Sequence, residues 1–195
     1  MPLRTVCVFC AANPGAHPVY VERARAMGRY LADSGRRLVY GGGRTGLMGA
    51  IAEGALGAGG EVVGIMPKHL VDREVAHTGL TQLHVVSSMH ERKALLSELS
   101  DGFLAMPGGL GTMEELFETW TWGQLGLHRK PYGLLEMHGF FAPLLGFLDH
   151  AVREGFIAAA NRDLLVVDDD PARLVERMEA VEIPRVARWM TREET

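Results

Sequence analysis

GFLAMPGGLGTMEEL, residues 102–116, contains in one stretch the pattern that decides the fold. Gly102–Met106 is an apolar run of strand length, and a proline with three glycines ends it. A helical pattern begins at Thr112 and carries two adjacent carboxylates, Glu114 and Glu115. A buried strand that passes through a glycine loop into a helix is the repeating unit of parallel α/β sheets.

The same alternation of strands and helices continues on both sides of this stretch. The predicted strands are Thr5–Phe9, Arg37–Tyr40, Glu61–Met66, Leu83–Val86, Gly102–Met106, Tyr132–Leu135 and Leu164–Val167. The predicted helices cover 18–34, 46–58, 89–99, 112–126, 139–154 and 171–180. Near-continuous apolar strands separated by helices indicate a parallel sheet covered on both faces, and right-handed crossovers make it doubly wound. The sequence therefore predicts a single-domain, doubly wound α/β fold over 1–195, with about seven strands. The residues after Pro184 are expected to form a last helix or a frayed end.

Composition narrows the classes of function. The chain has 195 residues, 47% of them hydrophobic and 23% charged, as in an ordinary soluble domain. A formal charge of -4 argues against binding a nucleic-acid polymer, which needs a basic face. No apolar run approaches the roughly 20 residues that span a bilayer, and the N-terminal residues do not resemble a signal peptide. We expect a cytoplasmic protein that does not contact membranes.

The two cysteines, Cys7 and Cys10, form a C-x-x-C pair within an apolar strand. Redox pairs of this spacing start a helix, where the thiol pKa is lowered. A zinc site needs two further ligands at a matching spacing, and the sequence offers none. Two buried, apolar cysteines and no bound metal are therefore expected.

Three predicted strands, the first, second and fifth, end in unusual loops. These loops read CAANPG (10–15), YGGGRTGLMG (40–49) and MPGGLGT (106–112). Loops after parallel strands meet at one edge of the sheet, where ligands bind. Glycines there allow backbone N–H groups to approach a ligand, and the free N–H groups at a helix start favour phosphate. None of the loops matches a dinucleotide fingerprint after the first strand or a P-loop, so a nicotinamide oxidoreductase is disfavoured.

Glu115 has two interpretations that the sequence leaves open. Thr112 and Glu115 have the T-x-x-E spacing of a capping box, in which the glutamate only closes the helix start. Alternatively, the carboxylate meets the sugar of a nucleoside monophosphate whose phosphate occupies the glycine loop. Glu114, the next residue on the helix, points elsewhere and is expected to be solvated.

Arg92 is the second residue of interest, within SSMHERKALLSEL (87–99). Ser88 and Glu91 form another capping-box pattern. Arg92 shares the inward side of this helix with apolar residues, and a buried arginine needs a partner. The partner is a phosphate or a carboxylate, Glu115 included, while the long stem of Lys93 allows its amine to extend outward.

Together these residues resemble a known family. Pro107–Glu115 fits P-G-G-x-G-T-x-x-E, and Met89–Lys93 resembles the family's Arg-Lys element. The stretches 41–70 and 121–157 are also similar, so the resemblance covers roughly residues 4–180. The family is LONELY GUY (LOG), the cytokinin riboside 5′-monophosphate phosphoribohydrolases, whose members were often labelled lysine decarboxylase-like.

The resemblance implies a Rossmann-like α/β homodimer without metal or organic cofactor. It implies that the protein hydrolyses nucleoside 5′-monophosphates, such as AMP, to free base and ribose 5-phosphate. It implies that Arg92 and Glu115 are catalytic. With the loop residues, the predicted substrate-binding set is Asn13, Gly43, Glu74, Met89, Arg92, Lys93, Gly108, Gly109, Leu110, Gly111, Thr112, Met113, Glu114, Glu115 and Thr121. The sequence departs from the family at CAANPG, where many members are serine-rich, and at Arg44, where small residues are common. Both departures bear on the entrance for the phosphate or the base.

Two other functions are alternatives to phosphoribohydrolase activity. A non-catalytic nucleotide carrier or sensor of the same fold would bind the nucleotide without releasing base. A pyridoxal-phosphate decarboxylase needs a Schiff-base lysine, and none of Lys68, Lys93 and Lys130 lies in a cofactor setting.

Dimerisation would be favoured by apolar residues that we expect to be exposed. These are Trp120, Trp122, Leu125 and Leu127.

Overall fold

The computed structural model describes residues 2–72 and 76–184, which form a seven-stranded sheet with helices on both faces. The strands are β1 Thr5–Phe9, β2 Arg37–Tyr40, β3 Val62–Pro67, β4 Gln82–Val86, β5 Gly102–Ala105, β6 Tyr132–Leu135 and β7 Leu165–Asp168. The helices are α1 Val19–Asp33, α2 Gly46–Gly57, α3 Lys68–Val71, α4 Met89–Glu98, α5 Leu110–Gln124, α6 Ala142–Arg153, α7 Ala159–Arg162 and α8 Pro171–Ala180. No helix in these two ranges is long and apolar enough to cross a membrane. Glu74 and the tail after Pro184 lie outside the described residues.

The strand order, β4-β3-β2-β1-β5-β6-β7, confirms the predicted doubly wound sheet. Neighbouring strands are parallel throughout; Val8 of β1, for example, is in register with Tyr40 of β2 and Leu104 of β5. The chain moves outward from β1 to β4 and then returns to place β5 on the other side of β1. This reversal is the switch point at which doubly wound sheets bind ligands. Here the loops after β1 and β5 meet, and the Ala11 amide donates to the Pro107 carbonyl at 3.2 Å.

Side chains of β1 alternate between two cores, one on each face of the sheet. Val6, Val8 and Cys10 pack in the core that α1, α2 and α8 cover. Cys7 and Phe9 pack in the opposite core, against α4, α5 and α6. Both cysteines are buried as free thiols, and burial raises their pKa values. The prediction of buried, apolar cysteines is confirmed.

The most consequential difference from the sequence prediction is the start of α5. The helix begins at Leu110, two residues before the predicted Thr112, because Gly109 takes the extended cap position with φ -96° and ψ -151°. Thr112 is therefore the third helical residue and cannot be the N-cap. The capping-box interpretation of Thr112 and Glu115 is wrong. The four-residue helices α3 and α7 escaped prediction because one turn shows no periodicity.

Trp120 corrects another expectation. Trp120 is only 7% exposed and lies in the same core as Cys7 and Phe9. Its ring stacks on that of Phe117, with 6.1 Å between the centroids. Trp122, Leu125 and Leu127 are half-buried rather than exposed. They do not form the exposed apolar surface that the sequence led us to expect.

Candidate active site

The N-terminus of α5 is open and points toward the edge of the sheet where the loops after β1 and β5 meet. No side chain among the described residues caps it, and its first turn carries no acidic residue. The amides of Leu110, Gly111 and Thr112 have no partner within the helix because they belong to its first turn. A Cβ atom built on Gly109 or Gly111 would find no atom within 4 Å. With the helix dipole, this end is suited to an anion.

The N-terminus of α4, in contrast, is capped by a side chain. Ser88 accepts a hydrogen bond from the Glu91 amide at 3.1 Å, which confirms half of the predicted capping box. The Glu91 carboxylate, however, accepts from the amide and hydroxyl of Ser87 rather than from the Ser88 amide. These bonds lower the pKa of Glu91. The open start of α5 therefore differs from the capped starts of α4 and α8.

Arg92 and Glu115 form a buried pair across the groove between α4 and α5. Nη1 of Arg92 lies 3.4 Å from Oε1 of Glu115, and the two side chains are 11% and 12% exposed. Arg92 also donates from Nε to the Ile65 carbonyl at 3.1 Å and from Nη2 to the Gly41 carbonyl at 3.3 Å. Met89 places its sulfur 3.8 Å from Nη1. The guanidinium is therefore fixed by backbone at the ends of β2 and β3, with Nη1 turned to the carboxylate.

The environment of Glu115 opposes its ionisation. Burial is the largest influence and raises its pKa, Arg92 lowers it, and the nearby Glu114 raises it again. The net pKa lies above that of an ordinary glutamate. A buried carboxylate of this kind gains most from a ligand that brings hydroxyl donors or positive charge.

Glu114 and Glu115 have different partners because consecutive helical residues point about 100° apart. Glu114 accepts from Nζ of Lys93 at 2.6 Å, and Glu118 accepts from the same amine at 2.8 Å. Lys93 is thus held between α4 and α5 instead of extending into solvent. Burial lowers its pKa, but the two carboxylates outweigh this effect and raise it. The Glu114 carboxylate therefore shares one cation with Glu118 and is only partly neutralised.

Gly108 and Thr112 shape the glycine loop from inside. A Cβ atom on Gly108 would overlap the Thr112 hydroxyl, and Thr112 is only 4% exposed. Met113 is half-buried and packs against the core on the α4, α5 and α6 side of the sheet, whereas Leu110 is 91% exposed. Only glycine at 108 leaves room for the Thr112 side chain in this loop.

A cavity of about 210 Å³ opens at the switch point beside this loop. Asn13, Gly108 and Gly109, all predicted site residues, line it. Tyr20 and Phe140 complete the wall with their rings 6.1 Å apart, edge to face. The sequence analysis missed these two aromatic residues, since they belong to α1 and to the segment before α6 and no motif marks them.

The remaining predicted residues are placed less centrally. Gly43 forms a bridge with Ala76 and its carbonyl accepts from the Tyr40 hydroxyl. Thr121 is exposed, its hydroxyl donates to the Phe117 carbonyl, and it lies six residues beyond Glu115, about 9 Å along the helix. Within one chain, Thr121 does not join the Arg92–Glu115 pair.

Comparison with known proteins adds independent information. Residues 48–178 match the sequence model of a family described as possible lysine decarboxylase. A cytokinin riboside 5′-monophosphate phosphoribohydrolase from Rhodococcoides fascians is 52% identical over 168 residues, which cover 86% of this chain and 85% of that protein. Enzymes with the same name from Oryza sativa subsp. japonica and Arabidopsis thaliana are 44% and 42% identical. They align with 90% and 92% of this chain, and with 73% and 82% of their own lengths.

Solved structures support the fold. A molybdenum cofactor binding protein from Rippkaea orientalis superposes with a TM-score of 0.67 at 23% identity, over 92% of this chain and 98% of that one. The molybdenum cofactor carrier protein of Chlamydomonas reinhardtii gives 0.65 at 21% identity, over 90% and 96%. At this identity, the likeness concerns architecture alone.

Proposed function

This chain belongs to the LONELY GUY family of cytokinin riboside 5′-monophosphate phosphoribohydrolases, and we propose that Arg92 and Glu115 carry the family's reaction in it. The enzyme hydrolyses the N-glycosidic bond of a nucleoside 5′-monophosphate and releases free base and ribose 5-phosphate. The observation that supports the residue assignment is the buried Arg92–Glu115 pair, formed near an uncapped helix start.

The 5′-phosphate is assigned to the N-terminus of α5. The amides of Leu110, Gly111 and Thr112 and the dipole of the helix attract it. Binding at this remote group aligns the sugar and converts binding energy into orientation at the reacting carbon. The protonated Lys93 amine lies between Glu114 and Glu118 and limits the repulsion that these carboxylates exert on the phosphate.

Glu115 is assigned to the sugar. Cleavage of a glycosidic bond passes through an oxocarbenium-like state, in which positive charge develops on the ring. The Glu115 carboxylate accepts hydrogen bonds from ribose hydroxyls, stabilises that charge and receives a proton from the attacking water. The water oxygen bonds to C1′ as the C1′–N bond breaks and its electron pair leaves with the base. The base takes up a proton from solvent, and Glu115 releases to solvent the proton that it received from water.

Arg92 favours the ionised form of Glu115, which the reaction requires. Burial alone would favour the protonated, uncharged form of Glu115, which cannot stabilise a cation. The adjacent guanidinium lowers the carboxyl pKa and opposes that effect. Fixed by two backbone carbonyls, it also sets the orientation of the carboxylate.

The direct test is incubation with AMP and with isopentenyladenosine 5′-monophosphate, followed by chromatography for free base and ribose 5-phosphate. We expect both products in equal amounts from at least one substrate. Tight binding of the nucleotide with no release of base would instead favour the alternative, a nucleotide carrier or sensor. Loss of base release in Glu115→Gln would tie the activity to the proposed site and exclude a contaminating hydrolase.

A homodimer is part of the proposal. Large apolar side chains that are exposed near the site edge include those of Val85, Met89, Leu110 and Phe140. They replace Trp120, Trp122, Leu125 and Leu127 as candidates for the dimer contact. The chain mass is 21.3 kDa, so light scattering after gel filtration should give about twice this value. A mass equal to one chain would contradict the dimer without affecting the assignment of Arg92 and Glu115.

A further inference from the structure

Gly41 occupies the position directly after β2, where the chain leaves the sheet beneath the guanidinium of Arg92. Its carbonyl accepts a hydrogen bond from Nη2 at 3.3 Å. A Cβ atom built on Gly41 would overlap that same Nη2 atom and would lie 3.3 Å from both Cζ of Arg92 and Sδ of Met48. The volume that any side chain at residue 41 would need is therefore filled by the guanidinium.

The backbone of Gly41 does not itself require glycine. Its φ lies outside the left-handed region, unlike that of the adjacent Gly42 at 79°. Alanine can therefore adopt the backbone conformation of residue 41 without strain. What excludes a side chain here is the packing of Arg92 and Met48 and not the turn.

Arg92 has little freedom to yield to an added methyl group. Its Nε is bonded to the Ile65 carbonyl, Nη1 faces Glu115, and its side chain is 11% exposed. A shift that relieves the clash at Nη2 breaks the bond to Gly41 and moves the guanidinium relative to the carboxylate. The position of the Arg92 charge is thus set by the missing side chain at residue 41.

We propose that Gly41 is a positioning residue for the hydrolysis: the absence of its side chain forms the socket that seats the Arg92 guanidinium against Glu115. This inference rests on the proposed roles of Arg92 and Glu115. Gly41 acts through Arg92 and does not itself touch the reacting atoms. The first glycine of the YGGG loop therefore serves the acid–cation pair, whereas the glycines at 109 and 111 serve the anion.

The test is a double-mutant cycle with Gly41→Ala, Arg92→Ala and the combination, assayed for kcat, KM and melting temperature. In Gly41→Ala we expect kcat to fall roughly 10- to 100-fold while KM stays within about threefold. In the Arg92→Ala background the socket is empty, so Gly41→Ala should change neither kcat nor melting temperature further. Gly57→Ala is the matched control, because a methyl group there meets no atom within 4 Å and should leave kcat unchanged.

Each outcome of the cycle decides the question. If Gly41→Ala alone fails to fold but the double variant melts like Arg92→Ala, the clash with Arg92 is established. The proposal would be overturned if Gly41→Ala had the kcat of the wild type. It would also be overturned if this substitution had the same effect in the wild-type and Arg92→Ala backgrounds. Lack of base release by the wild-type enzyme would overturn the proposed function instead, and the melting temperatures would still test the socket.

Discussion

The guanidinium of Arg92 and the carboxylate of Glu115 meet at 3.4 Å, although they come from different helices, α4 and α5. Neither side chain is placed by its own helix alone. Arg92 is fixed by carbonyls at the ends of two strands, and Glu115 faces it from the second turn of α5. Under the proposed function, the two carboxylates after the glycine loop have different tasks: Glu115 would serve the sugar, whereas Glu114 pairs with Lys93, which also pairs with Glu118.

Glu115→Gln should abolish most of the activity while the fold remains intact. The amide keeps the size of the side chain and can accept a hydrogen bond from Arg92, but it cannot stabilise positive charge. We expect kcat to fall about 100- to 1,000-fold or more. The melting temperature should fall less than in Arg92→Ala, because Arg92 keeps its bonds to the Ile65 and Gly41 carbonyls. Glu53→Gln, which alters an exposed carboxylate of α2, is the control and should retain kcat within about threefold. Equal activity of Glu115→Gln and wild type would remove Glu115 from the mechanism.

Arg92→Ala should reduce both activity and stability. Removing one member of a buried ion pair leaves the other charge uncompensated, which typically lowers the free energy of unfolding by about 3–5 kcal/mol. For a chain of this size, that corresponds to a melting temperature lower by about 10 °C. Calorimetry at neutral pH measures the shift, and the chromatographic assay measures base release. Retention of full activity at the lowered melting temperature would assign Arg92 to the scaffold alone.

The pH profile should report the raised pKa of Glu115. The reaction needs the ionised carboxylate, so kcat/KM declines as the pH falls through that pKa. Because burial raises the pKa, the decline should begin at a higher pH than an ordinary glutamate, near 4.3, would give. Arg92 lowers this pKa, so in Arg92→Ala the residual activity should decline at a still higher pH. If kcat/KM declines at the same pH in the wild type and in Arg92→Ala, then Arg92 does not lower the pKa of Glu115.

Gly111→Asp should weaken binding of the nucleotide phosphate without harming the helix. A side chain at this position meets no atom within 4 Å, and a carboxylate in the first turn of a helix is stabilising. The same charge repels the phosphate, so we expect KM for AMP to rise about tenfold or more while the melting temperature stays equal or increases. Gly111→Asn, which has the same shape without the charge, is the control. If the asparagine and aspartate variants have the same KM, the phosphate binds elsewhere.

Much of the fold followed from local patterns. The apolar runs at Thr5–Phe9, Arg37–Tyr40 and Tyr132–Leu135 became strands with the predicted bounds, because a strand buried on both faces must be apolar along its length. The start of α5 was misplaced by two residues, because Gly109 accepts an extended cap conformation that the usual T-x-x-E signal does not reveal. Short helices such as α7 carried no periodic signal at all.

The sequence by itself determined that glycine loops would gather at one edge of a parallel sheet, and that Arg92 would face inward and need a partner. Only the tertiary structure decided which partners it has: Glu115, and the carbonyls of Gly41 and Ile65. Periodicity and loop composition are local properties, so sequence reveals them. The seating of a guanidinium depends on crossovers that bring the ends of β2 and β3 beneath α4 and turn α5 toward it, and such contacts between distant segments exist only once the chain has folded.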